Sequence, residues 1–232
     1  MEIKVIIATH TDYKMPKEDY YLPVFAGAAL SDKKLPYQKD DEGDNISLKN
    51  PYYSELTALY WAYRNLRADY IGLCHYHRYM DIRNIDISKY KLILPKKRHY
   101  FIETAYSQYA HAHTSKGLDT ARIIIERDHP DYLSSFDICM KKRSLHIYNM
   151  FIMEYELFIE YCDFLFDILF KTEEMLGEEY RLYGYISERL LDVFIHKNNI
   201  PFKEVKLIET EYIDWPKKIL DFLKRKFSGY KQ

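Results

Sequence analysis

The sequence lacks an excess of either charge, because 34 lysines and arginines are balanced by 35 aspartates and glutamates. A global positive field is therefore absent, and we do not expect a nucleic-acid partner. No apolar run approaches the ~18 residues of a membrane-spanning helix, and the one at the amino terminus is too short for a signal peptide. These absences predict a cytoplasmic protein that does not cross a membrane.

Cysteine and glycine are also scarce. Cys74, Cys139 and Cys162 are odd in number and set among apolar residues, with neither a disulfide framework nor a Cys-x-x-Cys zinc motif, which fits a reducing compartment. Only seven glycines occur, against 24 tyrosines and 12 phenylalanines. Tyrosine joins a flat apolar face to a hydroxyl group, which suits the surfaces of sugars and nucleobases and equally suits a protein core.

The 232 residues are enough to bury a sizeable core within one domain. Apolar strands at residues 3–7 and 70–74 enclose a helix that starts near Ser54, and another strand follows at residues 90–94. Such alternation predicts an α/β fold. We predict a single domain over residues 1–210, with a mixed, mostly parallel sheet flanked by helices and a helix-rich second half. In that half the spacing predicts helices ending at His129, through 132–140, over 154–176 and over 183–199, and a strand over 145–153.

The tail, residues 211–232, has a different character. Its apolar residues fall on one helical stripe and its lysines and arginines supply a basic face, a pattern typical of a helix at a membrane surface. A terminal helix docked on the core would show the same pattern. We expect the tail to hold the protein at the anionic inner face of the plasma membrane. The stripe consists of Ile219, Leu220, Leu223 and Phe227, and the charges are Lys217, Lys218, Lys224, Arg225 and Lys226.

Two strands end in polar clusters. The first strand runs into Thr9-His10-Thr11-Asp12, and the strand YIGLC runs into His75-Tyr76-His77-Arg78-Tyr79. Ligands of open α/β sheets bind beyond the carboxyl ends of parallel strands, so parallel neighbours would bring both clusters to one crevice. On an extended chain, His75 and His77 would point to the same side.

Three interpretations apply to His75 and His77. As metal ligands they would need partners such as His10, His111 or His113, although no spacing matches a zinc signature. As structural histidines they would be capped by hydrogen bonds in the core. Together with Arg78 they would neutralise an anionic ligand such as a diphosphate in place of a metal ion.

Transfer chemistry also needs a carboxylate base. Glu188, in the segment GYISERLL, lies near a predicted helix start, and Asp137 and Glu154 are alternatives. An acidic residue at that position also complements the helix dipole without any catalytic role.

Four segments carry a resemblance: DNISLKNPYYSELTALYWAYRN, DYIGLCHYHRYM, SLHIYNMFIM and YGYISERLL. From Ile3 to about Ile208 the chain resembles a family of bacterial capsular and exopolysaccharide biosynthesis proteins, long catalogued as a domain of unknown function and now grouped with glycosyltransferases. The resemblance implies a GT-A-like fold. In such folds Asp-x-Asp ends the strand that here ends in His75-Tyr76-His77, so we expect that a divalent ion such as Mn²⁺ is not required. Relatives more often have Arg where this chain has His77.

The resemblance also implies roles for individual residues. Glu188 would act as the base, with His75, His77 and Arg78 on the leaving diphosphate and Arg189 steering the acceptor or the phosphates. The predicted donor-binding residues are Thr9, His10 and Tyr13 at the nucleotide, Asn45, Tyr53, Glu55 and Tyr79 at the donor pocket, Asn149 and Met150 near the sugar, and Arg189.

The resulting prediction is an inverting glycosyltransferase of capsule, exopolysaccharide or O-antigen synthesis. Its donor would be a nucleotide-sugar, taken as a UDP-sugar with UDP-galactofuranose as a candidate, and its acceptor a lipid-linked glycan. Two alternatives are a metal-dependent hydrolase built on the histidines and a non-catalytic binding module of a polysaccharide assembly complex.

Overall fold

The computed structural model describes residues 1–210, so the predicted amphipathic tail lies outside the described residues. A nine-stranded sheet runs in the order β10-β6-β9-β4-β1-β2-β3, with β5 and β11 paired beyond β4. Four of the six pairs along that order are parallel. Its strands are β1 Ile3–Thr9, β2 Tyr21–Phe25, β3 Gln38–Lys39, β4 Tyr70–His75, β5 Arg78–Met80, β6 Leu92–Pro95, β9 Phe151–Glu154, β10 Lys203–Val205 and β11 Leu207–Glu209. Two short strands, β7 Arg98–His99 and β8 Ser144–Leu145, pair in a separate sheet.

Helices cover the sheet, and most of those in the described part of the chain follow residue 100. They are α1 Asn50–Tyr53, α2 Leu56–Asn65, α3 Ala105–Ala112, α4 Lys116–Asp128, α5 Pro130–Lys141, α6 Tyr155–Leu176 and α7 Leu182–Lys197. The predicted fold class, a mixed and mostly parallel sheet with a helix-rich second half, is confirmed.

The centre of the sheet is the parallel pair β1 and β4, whose register runs from Ile3 opposite Tyr70 to Ala8 opposite His75. Both strands are buried on their two faces, which is why they read as continuous apolar runs. Gly72 permits the close approach of β9, since a Cβ atom there would lie 2.7 Å from the Phe151 carbonyl oxygen. The prediction that these two strands are parallel neighbours is confirmed.

The larger core lies between the sheet and the helices and contains the apolar residues of α2, α4, α6 and α7. The other face of the sheet is covered by loops and by β5, in a smaller core around Val5, Ile7 and Cys74. α6 is apolar around much of its circumference because it is packed against α4, α7 and the sheet.

The predicted strand over 145–153 is interrupted. β8 ends at Leu145 and β9 begins at Phe151, and between them Tyr148 and Asn149 have φ angles of 83° and 53°. Such angles are incompatible with a pleated strand. The segment instead forms a loop that turns the Asn149 side chain toward α2 and α7, as described below.

α3 was not predicted from the sequence. It begins at a capping box, in which the Thr104 side chain accepts a hydrogen bond from the Ser107 backbone and the Ser107 hydroxyl accepts one from the Thr104 backbone. The signal was present as Thr104-x-x-Ser107, although a serine at this position is a weaker indicator than the glutamate or glutamine usual in the motif.

Candidate active site

The polar cluster after β4 forms a tight hairpin. His75 pairs with Arg78 across the turn, which leaves Tyr76 and His77 as its two central residues. The rings of His75 and His77 lie 5.9 Å apart between centroids, so the structure brings them together. The reason differs from the one predicted, because the turn and not an extended strand sets their separation.

Neighbouring segments hold two side chains of this hairpin. The Nε2 atom of His75 donates to the Tyr148 carbonyl oxygen at 2.5 Å, so Nδ1 is the ring nitrogen left for another partner. The Arg78 guanidinium lies 4.5 Å from the centre of the Tyr148 ring and 3.7 Å from a Glu209 carboxylate oxygen. The hairpin is therefore fixed against the 148–150 loop and β11.

β1 delivers its own polar cluster beside the hairpin, as its parallel pairing with β4 requires. The His10 ring meets the Tyr76 ring edge-on at 5.5 Å, and Tyr13 contacts the same ring at 5.2 Å. The Thr9 side chain is buried and donates to the Thr11 carbonyl oxygen, which shapes the turn after β1. Thr9, His10 and Tyr13 thus share one edge of the sheet with His75.

Glu188 and Arg189 bring charge to this crevice from the second turn of α7. Arg189 is 3% exposed, donates to a Glu188 carboxylate oxygen at 2.5 Å and donates to Gln108 at 2.7 Å. The Glu188 side chain remains 21% exposed, so solvent reaches it. Burial raises the pKa of Glu188 and the nearby Glu55 raises it further, while Arg189 and His75 oppose the shift.

Glu55, at the amino end of α2, is the second carboxylate of the crevice. Its Oε1 accepts a hydrogen bond from the Asn149 amide at 2.7 Å, and Asn149 in turn accepts one from the Ser187 hydroxyl at 2.9 Å. Asn149 is 1% exposed and also donates to the Gly184 carbonyl oxygen. Its observed role is to tie α2, the loop before β9 and α7 together around Glu188.

His113 and Arg181 complete the crevice; from the sequence His113 was considered only as a metal ligand, and Arg181 was not assigned to the site. The His113 ring stacks on Tyr185 with centroids 3.8 Å apart, and Arg181 lies 5.4 Å above the same tyrosine. Burial, Arg189 and Arg181 together lower the pKa of His113 to about 4. Burial, Lys33 and Arg181 also lower the pKa of His10. The exposed Arg181 is therefore close enough to act electrostatically on both histidines.

Several polar groups behind Arg189 have no hydrogen-bond partner within residues 1–210: its own Nε and the hydroxyls of Tyr100 and Tyr109. The Arg189 guanidinium lies 5.2 Å from the centre of the Tyr109 ring. Buried polar groups are nearly always satisfied, so this part of the crevice has the chemistry to take ordered water or ligand oxygens.

A metal site does not fit this arrangement. Among the described residues, no three His, Cys, Asp or Glu side chains are grouped to hold an ion. His111 pairs instead with Glu103 at 2.6 Å, and His113 faces Tyr185. Two of the four histidines that the hydrolase alternative requires, His111 and His113, thus have other partners.

Four predicted donor-binding residues have side chains engaged in structural contacts. Tyr53 is fully buried and donates to Glu173 at 2.9 Å, and Met150 is fully buried in the smaller core. Tyr79 is 5% exposed and donates to the Tyr76 carbonyl oxygen. Asn45 hydrogen-bonds within its own loop, to the carbonyls of residues 41 and 43. Glu55 and Asn149, close to Tyr53 and Met150 along the chain, reach the crevice, but the four side chains make packing or loop contacts.

Comparison with known proteins identifies the family to which the chain belongs. Residues 4–199 match the family model described as "Domain of unknown function (DUF4422)". The chain belongs to this family. No curated protein sequence matches the chain.

Among solved structures, the DUF4422 chain is similar to WbbM, described as a bifunctional glycosyltransferase and solved in its apo form. The TM-score is 0.84 at 25% sequence identity. The match covers 91% of this chain and 46% of WbbM, so the chain spans less than half the length of that protein. The GT-A-like fold and the family predicted from the motifs are confirmed. No helix within residues 1–210 is long and apolar enough to cross a membrane.

Proposed function

We propose that this protein is a glycosyltransferase that takes a sugar from a nucleotide-sugar and inverts its anomeric configuration. The observation that carries the proposal is Glu188, a partly exposed carboxylate with a raised pKa that lies near His75, at the carboxyl end of β4. A base poised in this way suits removal of a proton from a sugar hydroxyl. Similarity to WbbM supports the same class of reaction.

The proposed reaction is a single displacement. The acceptor hydroxyl oxygen bonds to the anomeric carbon, the bond from that carbon to the diphosphate oxygen breaks, and Glu188 takes the hydroxyl proton. Nucleoside diphosphate leaves with the electron pair of the broken bond. His75, His77 and Arg78 stabilise its negative charge, and Arg189 holds the Glu188 carboxylate in position.

No step of this proposal passes through a divalent ion. The position at which GT-A folds carry Asp-x-Asp holds His75-Tyr76-His77 here, and imidazole and guanidinium groups replace a cation at a diphosphate. Because the charge of a histidine changes near neutral pH, donor affinity should fall between about pH 5.5 and 8 if His77 meets the phosphates. An affinity that is flat over that range would remove His77 from this role.

The finer parts of the proposal concern substrate and place. We take the donor to be a UDP-sugar, with UDP-galactofuranose as a candidate, and the acceptor to be a lipid-linked glycan of surface-polysaccharide synthesis. The protein would act in the cytoplasm at the inner face of the plasma membrane, with residues 211–232 on anionic lipid. Deletion of residues 215–232 should then weaken binding to anionic vesicles.

A thermal-shift screen against UDP, GDP and their sugars, in EDTA and in Mn²⁺, tests the proposal. A ligand at about one hundred times its dissociation constant stabilises the folded state by roughly 2.7 kcal/mol. We expect stabilisation by UDP that persists in EDTA. Stabilisation in Mn²⁺ alone would contradict the metal-free mechanism, and no response to any nucleotide would contradict transferase function in favour of the binding module.

A further inference from the structure

The connection between β7 and α3 exposes two large apolar side chains at its tip. Phe101 is 83% exposed and Ile102 is 66% exposed, and Phe101 has a φ angle of 56°. Among the described residues, Phe101 has the largest exposed fraction of any large apolar side chain. We call residues 100–104 the β7–α3 turn. Two adjacent apolar side chains are seldom left exposed to water at a turn. Where they occur, they mark an interaction surface.

Basic residues surround this turn on two neighbouring chain segments. β7 pairs with β8, and the Tyr100 and Ala105 backbone amides donate to the carbonyls of Arg143 and Lys142, so residues 96–98 and 141–143 flank the tip. Within residues 1–210, none of the six forms an ion pair with a carboxylate. The six are Lys96, Lys97, Arg98, Lys141, Lys142 and Arg143.

The carboxylate nearest the tip is largely shielded from solvent. Glu103 follows Ile102 directly, but its side chain is 11% exposed and contacts His111 at 2.6 Å. A third apolar side chain extends the surface, since Lys97 lies 5.7 Å from the ring centre of Phe202, which is 37% exposed. Within residues 1–210, the patch thus combines basic residues that lack carboxylate partners with protruding aromatic and aliphatic groups.

We propose that the β7–α3 turn inserts into the surface of an anionic lipid bilayer, with the six basic residues on the lipid headgroups. Aromatic and aliphatic side chains that protrude from a basic surface match the apolar boundary and the negative charge of such a membrane. This contact is separate from residues 211–232 and does not depend on the transferase proposal.

The position of the turn gives the contact a consequence for the site. The turn precedes α3, whose Gln108 binds Arg189 and whose carboxyl end carries His113. The eight residues of α3 span about 12 Å. Docking through the turn would therefore hold the crevice roughly the length of α3 from the lipid surface, within reach of a headgroup-linked acceptor.

Co-sedimentation of the full chain with vesicles tests the proposal. Phosphatidylcholine vesicles with and without phosphatidylglycerol are compared for the wild type and for Phe101→Ser/Ile102→Ser. We expect about tenfold weaker binding to the anionic vesicles for this variant and about fivefold for each basic residue changed to Gln. The matched control is Ile123→Ser/Met175→Ser, which removes two apolar residues that are 51% and 53% exposed elsewhere, and it should bind like the wild type.

A fluorescence measurement separates this contact from one made by the tail. The three native cysteines are buried, so Ile102→Cys can be labelled selectively with an environment-sensitive dye. Anionic vesicles should shift its emission to the blue, whereas the same dye at Ile123→Cys should not respond. Vesicle-bound protein without a shift at position 102, or equal binding with and without phosphatidylglycerol, would overturn the proposal. Donor-nucleotide binding, measured without vesicles, reports on the transferase proposal alone.

Discussion

Two carboxylates on α7, Glu188 and Asp192, lie one helical turn apart and face very different surroundings. Asp192 accepts hydrogen bonds from the His146 backbone at 2.6 Å and from the His146 ring at 3.0 Å, and the other ring nitrogen contacts Glu204 at 2.9 Å. The Asp192 side chain is 6% exposed and that of His146 is fully buried. Glu188 has one charged neighbour within hydrogen-bonding distance, Arg189, and stays open to solvent.

The difference teaches how one helix serves both structure and chemistry. The Asp192 network is closed, since each of its groups already has a partner, and it ties α7 to β10 and to the segment after β8. Glu188 is left with spare acceptor capacity, an unfavourable neighbour in Glu55 and a raised pKa. A carboxylate with a raised pKa and spare acceptor capacity, such as Glu188, is suited to act on a ligand.

The largest expected effect is the loss of transfer activity when Glu188 is changed. Glu188→Gln should lower the transfer rate by about 10²–10⁴-fold, because it removes the base. Its thermal unfolding curve should remain cooperative. Turnover is measured with a panel of UDP-sugars, and Glu160→Gln, on α6, is the matched control. A Glu188→Gln protein with wild-type turnover would exclude the base role.

The next effect is a loss of stability when Asp192 is changed. Asp192→Ala should lower the free energy of unfolding by about 3–5 kcal/mol, because the buried His146 ring and backbone amide lose the carboxylate that they contact. Urea denaturation measures the loss. Glu204→Ala should cost less, since the Glu204 side chain is 37% exposed. Equal losses of unfolding free energy for the two variants would show that burial does not determine how much each carboxylate contributes.

A smaller effect is expected at the rim of the crevice. Arg181→Asn should weaken UDP binding by about tenfold, by analogy with other charged hydrogen bonds to phosphate, and should raise the pKa values of His10 and His113 by removing a nearby positive charge. Asparagine keeps the left-handed backbone, where Arg181 has a φ angle of 56°. Calorimetry and NMR titration measure the two changes, with Arg127→Asn on α4 as the control.

The smallest effect concerns pH. A base must be ionised, so the transfer rate should fall as pH drops through the raised pKa of Glu188, at a higher pH than for an ordinary glutamate near about 4.3. His113, with its pKa lowered to about 4, is already neutral there. His113→Gln should therefore leave the position of this acid limb unchanged. A shift in the limb would mean that His113 titrates in place of Glu188.

The sequence allowed prediction of the sheet centre because both β1 and β4 are apolar runs that end in polar clusters. It also pointed to Glu188, through the resemblance of YGYISERLL to its family. Tyr53 and Met150 were assigned to the donor pocket by their place in motifs, but side-chain direction depends on tertiary packing. The positive φ of Ser54 turns the chain between α1 and α2, and Tyr53 faces the core.

His113 and Arg181 are 68 positions apart and meet only through Tyr185, so no local pattern linked them. The run His111-Ala112-His113 was considered as a source of metal ligands, whereas His111 pairs with Glu103 and the surroundings of His113 are aromatic and cationic. Asp192 carried no signal in the sequence. Its partner His146 is 46 positions away, and only their packing reveals that this acid is structural.

Thr210 has a practical consequence for anyone who attaches a tag or fusion partner to this chain. Its backbone amide donates to the His77 carbonyl oxygen at 3.2 Å, and its hydroxyl lies 2.8 Å from that of Tyr13. In a protein shortened to residues 1–210, a fusion partner joined directly after Thr210 would start at the rim of the crevice. β1 begins at the opposite end of its strand, where the amino group of Met1 lies 3.6 Å from Asp69. For such a shortened protein, affinity handles and surface-immobilisation anchors therefore belong at the amino end.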